Sequence, residues 1–246
     1  MSSAPKPTAR GALILALVVY FVMKGFVPFG GTILYPLTLL TTWVHEMGHG
    51  LTALVLGGRF SSLDVFANGS GLAYTASSHL WQSGLVSAGG LLAPPIAGAV
   101  LLATSRGSRR ARILLAGLCV AILVSLAIWV RSLTGWLALP VVAAVLAYVV
   151  RRTSPRKTMI FAQLIGVVLA IDTVSGSGYL FSAEVKVDGE LRPSDISNVA
   201  KAFGGSYVSW GLLLAAVSFA LLAFGLTMAW RGDGKLETPR KNTRTK

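Results

Sequence analysis

Long apolar runs separated by short polar breaks dominate the pattern of this chain. A helix that crosses a bilayer needs about 20 mostly apolar residues, and most of the runs approach or exceed that length. The predicted spans are 11–28, 32–56, 79–104, 113–131, 133–150, 158–175 and 208–230. The pattern therefore predicts an all-α polytopic membrane protein with about 6–7 transmembrane helices.

Two of the polar breaks are long enough to form structure of their own. In the break at 57–78, apolar residues alternate with others on both sides of Asn68-Gly69, which is a strong turn signal. We therefore expect a small β-hairpin directly after the second span. The break at 176–207 carries acidic residues, Gly and Ser, and predicts a solvent-facing loop with a short helix after Pro193.

Composition supports the membrane class and a simple domain organisation. Of the 246 residues, 54% are hydrophobic and only 13% are charged, whereas soluble domains are about one-quarter charged. Little sequence remains for a separate soluble domain. We expect one integral membrane domain over residues 1–230, with the first apolar run retained as an anchor, and a polar basic tail over 231–246.

The positive charge is distributed in a way that indicates topology rather than nucleic-acid binding. The formal net charge is +13, and basic residues concentrate at 106–112, 151–157 and 231–246, next to apolar spans. Such clusters mark the cytoplasmic side and contact lipid headgroups. We therefore expect membrane lipids, and no nucleic acid, among the partners.

The second span contains the sequence His45-Glu46-Met47-Gly48-His49, an HExxH motif. Residues four apart lie on one helix face, so both imidazoles can bind one Zn²⁺. Glu46 lies beside them and can act as the general base on a water molecule. Ionisable side chains inside a bilayer are costly and are functional hypotheses by default. The motif thus predicts a zinc site within a transmembrane helix, with Glu46 as the catalytic residue.

A catalytic zinc site needs a third protein ligand, and two aspartates are candidates. Asp172 lies in an apolar span at a depth comparable with that of the histidines, where an unpaired carboxylate would be costly. Asp195 follows Arg192-Pro193-Ser194 in a polar loop, where Ser194 or Asp195 can cap a helix N-terminus, so Asp195 needs no metal to explain it. We expect Asp172 to be the metal ligand, together with His45 and His49, and retain Asp195 as the alternative.

These features resemble the site-2 protease family of intramembrane zinc metalloproteases, particularly its small bacterial members without a PDZ domain. HEMGH in an early span is followed by a predicted hairpin. The next span carries Ala88-Gly89-Gly90-Leu91-Leu92-Ala93-Pro94-Pro95, which is similar to the family's small-residue and proline motif. Asp172 is similar in position to the family's distal aspartate, although Thr173 follows it where the family usually has glycine.

The resemblance implies a zinc metalloendopeptidase that cuts a membrane-spanning protein substrate in or near the bilayer. It implies His45, His49 and Asp172 as ligands, Glu46 as base, and a multi-pass location in a bacterial plasma membrane. The basic clusters place the site toward the non-cytoplasmic face. A membrane protein that binds zinc for structure, signalling or transport is the alternative, and the sequence leaves the oligomeric state open.

The predicted hairpin also has an expected role in catalysis. A helical peptide bond is shielded by its own hydrogen bonds, so a protease must hold its substrate extended. A sheet edge does this through main-chain hydrogen bonds. We therefore expect residues 60–75 to present an edge strand that captures an unwound substrate segment.

Overall fold

The computed structural model describes residues 9–175 and 180–231, with side chains at 10–171 and 180–231. The helices are α1 (Ala9–Gly25), α2 (Gly30–Val55), α3 (Leu80–Thr104), α4 (Ser108–Ile128), α5 (Leu133–Arg152), α6 (Pro155–Ser175), α7 (Asp195–Phe203) and α8 (Tyr207–Trp230). The strands are β1 (Arg59–Val65), β2 (Gly71–Ala76), β3 (Glu184–Val187) and β4 (Glu190–Pro193). The predictions for residues 1–8, 176–179 and 232–246, which include the basic tail, lie outside the described residues.

Each predicted span corresponds to a helix, and the chain is a multi-pass integral membrane protein. Within the described residues, α3, α4, α5 and α8 are long and apolar enough to cross a membrane by themselves. The axes of α1 and α2 differ by 119° across a short break, and this bent pair would count as a fifth span. Four or five candidate spans are thus found, and the count of six to seven stays a prediction.

The first hairpin is tied to α2 through its turn. β1 and β2 pair antiparallel, and Gly69 between them has a φ of 87° that suits glycine. The Tyr35 hydroxyl donates to the carbonyl of Ala67, and the Thr42 hydroxyl donates to the carbonyl of Gly69 at 2.6 Å. These two contacts hold the hairpin turn against the helix that carries the HExxH motif.

One edge of this hairpin is occupied, and the other faces α2. The N–H of Leu63 in β1 donates to Trp129 O at 2.9 Å, and its carbonyl accepts from Arg131 N at 3.0 Å. Both backbone groups of Leu63 therefore point away from β2. Ala73 is paired with Leu63, and in such a non-hydrogen-bonded pair the N–H and C=O of Ala73 point away from β1. In the part of the chain that the structure describes, no strand pairs with this edge of β2, and the free edge faces α2.

The break at 176–207 contains a second hairpin that sequence analysis did not predict. β3 and β4 pair antiparallel around Asp188 (φ 49°) and Gly189 (φ 86°). Two positive φ values in a two-residue hairpin turn are those of type I′, which Asp-Gly favours. The signal was present in the sequence, next to alternating apolar residues. The short helix expected after Pro193 is α7.

The hairpins and the basic loops lie at opposite ends of α4. Residues 129–131 at its C-terminal end bond to β1, whereas its N-terminal end follows the basic loop after α3. That loop adjoins the loop between α5 and α6, since the Arg112 guanidinium donates to Thr153 O at 3.0 Å. A helix of 21 residues is about 32 Å long, so the two ends are separated by about the thickness of a bilayer core.

Candidate metal centre

The HExxH histidines lie one turn apart on α2 with their ring nitrogens together. The Nε2 atoms of His45 and His49 are 3.0 Å apart, as the spacing of four predicts. The helix is fixed beneath them by the Trp43 indole N–H, which donates to Ser125 Oγ of α4 at 2.8 Å. The His49 side chain is 10% exposed and that of His45 is 18% exposed. The pair therefore sits in a protein environment that is largely shielded from solvent.

Helix α3 fixes the orientation and tautomer of His49. A Cβ at Gly90 would collide with the His49 ring, so the ring fits only because glycine stands there. The His49 Nδ1 atom lies 2.9 Å from the carbonyl oxygen of Val86. A carbonyl can only accept, so Nδ1 carries the proton, and in the neutral ring the Nε2 lone pair points into the site. Hydrogen bonds of this kind orient metal-binding histidines.

Asp195, at the first position of α7, completes the cluster. Its Oδ2 atom is 3.1 Å from His45 Nε2 and 3.3 Å from His49 Nε2. The capping role that sequence analysis considered for Asp195 belongs to Ser194, whose hydroxyl accepts from Ser197 N at 3.2 Å. The Asp195 carboxylate is therefore not needed as the helix cap. It points to the histidines instead, with its side chain 13% exposed.

The charge state of Asp195 follows from these neighbours. Burial alone would raise the pKa of its carboxyl. Attraction to His49 when its ring is protonated, together with hydrogen bonds to both histidines, outweighs that effect and holds the pKa well below its usual value. The group is thus an anion at neutral pH, as a metal-binding carboxylate must be.

The preference for Asp172 over Asp195 is not supported by this arrangement. Asp172 lies in the last turn of α6, but its side chain is outside the described residues, so its role as a ligand stays an untested prediction. The described geometry favours the alternative. The prediction of Asp172 rested on the cost of a carboxylate inside an apolar span. Packing of α7 against α3 buries Asp195 beside the histidines without placing it in a span.

The three atoms have the arrangement and chemistry of a zinc site. A tetrahedral ion with bonds of about 2.0–2.1 Å holds its ligand atoms about 3.3–3.4 Å apart. The Nε2, Nε2 and Oδ2 atoms are separated by 3.0, 3.1 and 3.3 Å. Two imidazole nitrogens and one carboxylate oxygen are donors that zinc accepts, and three protein ligands leave the fourth position open. Among the described residues, no other trio of His, Cys, Asp or Glu is placed to hold a metal.

Glu46 lies next to the three ligands and against β2. Its side chain is buried and interacts with the backbone N–H of Ala73, which belongs to the free edge of β2. A Cβ at Gly71 would lie 2.6 Å from Glu46 Oε1, so glycine at this position allows the strand to approach the carboxyl closely. The base predicted from the sequence thus stands between the histidines and the free strand edge.

These groups open into one cavity of about 290 Å³, at the small end of the range for ligand sites. Its walls come from α2, α3, α7 and both hairpins. The lining includes His45, Glu46, His49, Gly71, Leu72, Ala73, Thr75, Ser83, Val86, Ser87, Val185, Val187, Arg192, Pro193, Asp195 and Asn198. The contributions of Val86 and of β3 were missed in sequence analysis. A backbone carbonyl has no sequence signature, and β3 would have been found from its Asp-Gly turn.

Comparison with known proteins identifies the family. No curated protein and no solved structure matches the chain. The family described as Peptidase M50B-like matches residues 11–225, a range that contains the HExxH motif and Asp195. This match confirms the resemblance to the site-2 protease family, and the chain belongs to the Peptidase M50B-like family.

Proposed function

We propose that the protein is an intramembrane zinc metalloendopeptidase that hydrolyses a peptide bond of a membrane-spanning protein. The observation that carries the proposal is the convergence of His45 Nε2, His49 Nε2 and Asp195 Oδ2 within 3.3 Å beside the Glu46 carboxyl. His45, His49 and Asp195 hold the metal. When bound, Zn²⁺ supplies a Lewis acid that makes a water molecule acidic enough to attack a carbonyl near neutral pH.

Glu46 moves the proton in this reaction. Its carboxylate lines the cavity next to both histidines, so it takes the proton from the attacking water and delivers it to the leaving amine nitrogen. The surrounding helices exclude bulk water from the buried carboxyl. Positioned general bases contribute about 10²–10⁴-fold to rate. Loss of Glu46 should therefore slow hydrolysis while the three metal ligands remain in place.

The free edge of β2 holds the substrate extended. The outward carbonyl of Ala73 is supplemented, at alternate positions, by the outward backbone groups of Gly71 and Thr75, whereas the Ala73 N–H interacts with Glu46. An unwound substrate segment that pairs with this edge passes beside Glu46. By the positive-inside rule the basic loops lie in the cytoplasm, so the site at the opposite end of α4 opens toward the non-cytoplasmic side of a plasma membrane.

The test compares wild type with Glu46→Gln. Both proteins are purified and reconstituted, their zinc is measured, and cleavage of single-span test substrates is followed by mass spectrometry. We expect about one zinc per chain in both and a rate lower by about 10²–10⁴-fold in the variant. Zinc in both proteins with no cleavage by either would overturn the protease proposal in favour of a non-proteolytic zinc-binding membrane protein.

A further inference from the structure

The second hairpin stands across the cavity from β2, and its strand β3 turns one face toward the site. Val185 and Val187 line the cavity and are half-buried. Glu184 and Lys186, at the alternate positions, are exposed. Successive side chains of a strand point to opposite faces. The burial pattern therefore shows an apolar face of β3 directed at the metal centre and a charged face directed away from it.

The two hairpins meet at their turns but do not form one sheet. The N–H of Asp188, in the turn of the second hairpin, lies 3.4 Å from Ser70 Oγ, just before β2. Within the described residues, β1 and β2 form one two-stranded sheet and β3 and β4 form another, with no pairing between the two hairpins. The space between β2 and β3 is the cavity itself, and it contains the carboxyl of Glu46.

We propose that β3 is the second wall of the substrate slot, where Val185 and Val187 form a subsite for an aliphatic side chain of the extended segment. This subsite rests on the proposed protease function and would make the protease selective for the substrate side chain that it contacts. β2 supplies main-chain hydrogen bonds, which do not discriminate between substrate side chains. Two β-branched side chains opposite that edge contact the side chain that the bound strand turns toward them. Apolar contacts of this kind discriminate between substrates by size.

Cross-linking tests the position of β3 without relying on catalysis. The background is Cys119→Ala with Glu46→Gln, because Cys119 is the chain's one cysteine. Val187→Cys is compared with Lys186→Cys, its exposed neighbour on the opposite face, using single-span test substrates with one cysteine near the bond that wild type cleaves. We expect a several-fold higher disulfide yield for Val187→Cys. Equal yields from the two variants would overturn the proposal.

A selectivity measurement tests the subsite itself in active protein. Val187→Phe fills the subsite, and we expect it to lower kcat/KM for substrates with Leu relative to those with Ala by about ten-fold or more. Lys186→Phe is the matched control and leaves the ratio unchanged. An unchanged ratio in Val187→Phe, with cleavage intact, would refute the subsite and leave the protease proposal standing. No cleavage by wild type would instead refute the protease proposal.

Discussion

His45 and His49 lie one turn apart on a single helix, whereas Asp195 reaches them from an element 150 residues after His45. The first half of the site follows from the helix period alone, because a spacing of four puts two side chains on one face. The second half depends on where α7 packs, since contacts of α7 with α3 and α8 bring Asp195 to the histidines. The spacing of the histidines can therefore be predicted from sequence, whereas the packing of α7 cannot.

The two halves also differ in what supports them. Helix α3 holds His49 through the carbonyl of Val86 and through the space left by Gly90. Asp195 is held by the start of α7, where Ser194 is fully buried and its hydroxyl donates to Ser182 O at 2.6 Å. The two histidines are therefore held by packing inside the membrane bundle, whereas Asp195 is held by a hydrogen-bonded cap outside the candidate spans.

The largest effect is expected when both HExxH histidines are removed. Changing both His45 and His49 to Ala deletes two of three ligands, so zinc content should fall from about one per chain to near zero, and cleavage should be lost. Elemental analysis of the purified protein measures this. His79→Ala is the matched control, since His79 is the third histidine and lies outside the trio. Zinc retained by the double variant would place the metal elsewhere.

A smaller effect is expected when the packing of α3 against the His49 ring is disturbed. Gly90→Ala forces the His49 ring to shift, and an overpacking cost of about 1–3 kcal/mol corresponds to zinc binding that is weaker by about 5-fold to 150-fold. Gly117→Ala in α4 is the control, because a Cβ there meets nothing within 4 Å. Competition with a metal chelator gives the affinities. Equal affinity in the two variants would show that Gly90 does not position the ligand.

The smallest effect is expected at the free edge of β2. Thr75→Pro removes one outward N–H while leaving the β1–β2 ladder, since proline is tolerated where the N–H faces away from a partner strand. Loss of one hydrogen bond of about 0.5–1.5 kcal/mol should weaken kcat/KM about two- to ten-fold with zinc unchanged. Thr75→Ala controls for the side chain. If both variants cleave alike, the substrate does not pair at this position.

The comparison also explains which features the sequence could predict. Apolar runs predicted the seven long helices found among the described residues, and Asn68-Gly69 predicted the first hairpin, because both signals are local. The same kind of signal at Asp188-Gly189 marked β3 and β4 but was masked by the acidic, Gly- and Ser-rich composition of its surroundings. The count of six to seven spans stays a prediction, because the apolar runs do not reveal the 119° bend between α1 and α2.

The carboxylate that lies beside the histidines was the hardest feature of the candidate site to predict, for a physical reason. The desolvation cost of a carboxylate in an apolar helix favoured Asp172, and capping offered a sufficient role for Asp195. Ser194 fills that role, so the carboxylate of Asp195 can contact the histidines. A choice between two adjacent cap candidates depends on side-chain geometry, and composition and spacing carry no information on it.

Zinc stoichiometry and affinity of Asp195→Ala compared with Asp172→Ala test the account most directly. The two variants remove the same group from the two candidate positions, so each is the other's matched control. We expect Asp195→Ala to lose most of its zinc and its cleavage activity, because the metal keeps only two protein ligands. Asp172→Ala should hold about one zinc per chain with an affinity near that of wild type. Zinc lost by Asp172→Ala and retained by Asp195→Ala would contradict the assignment.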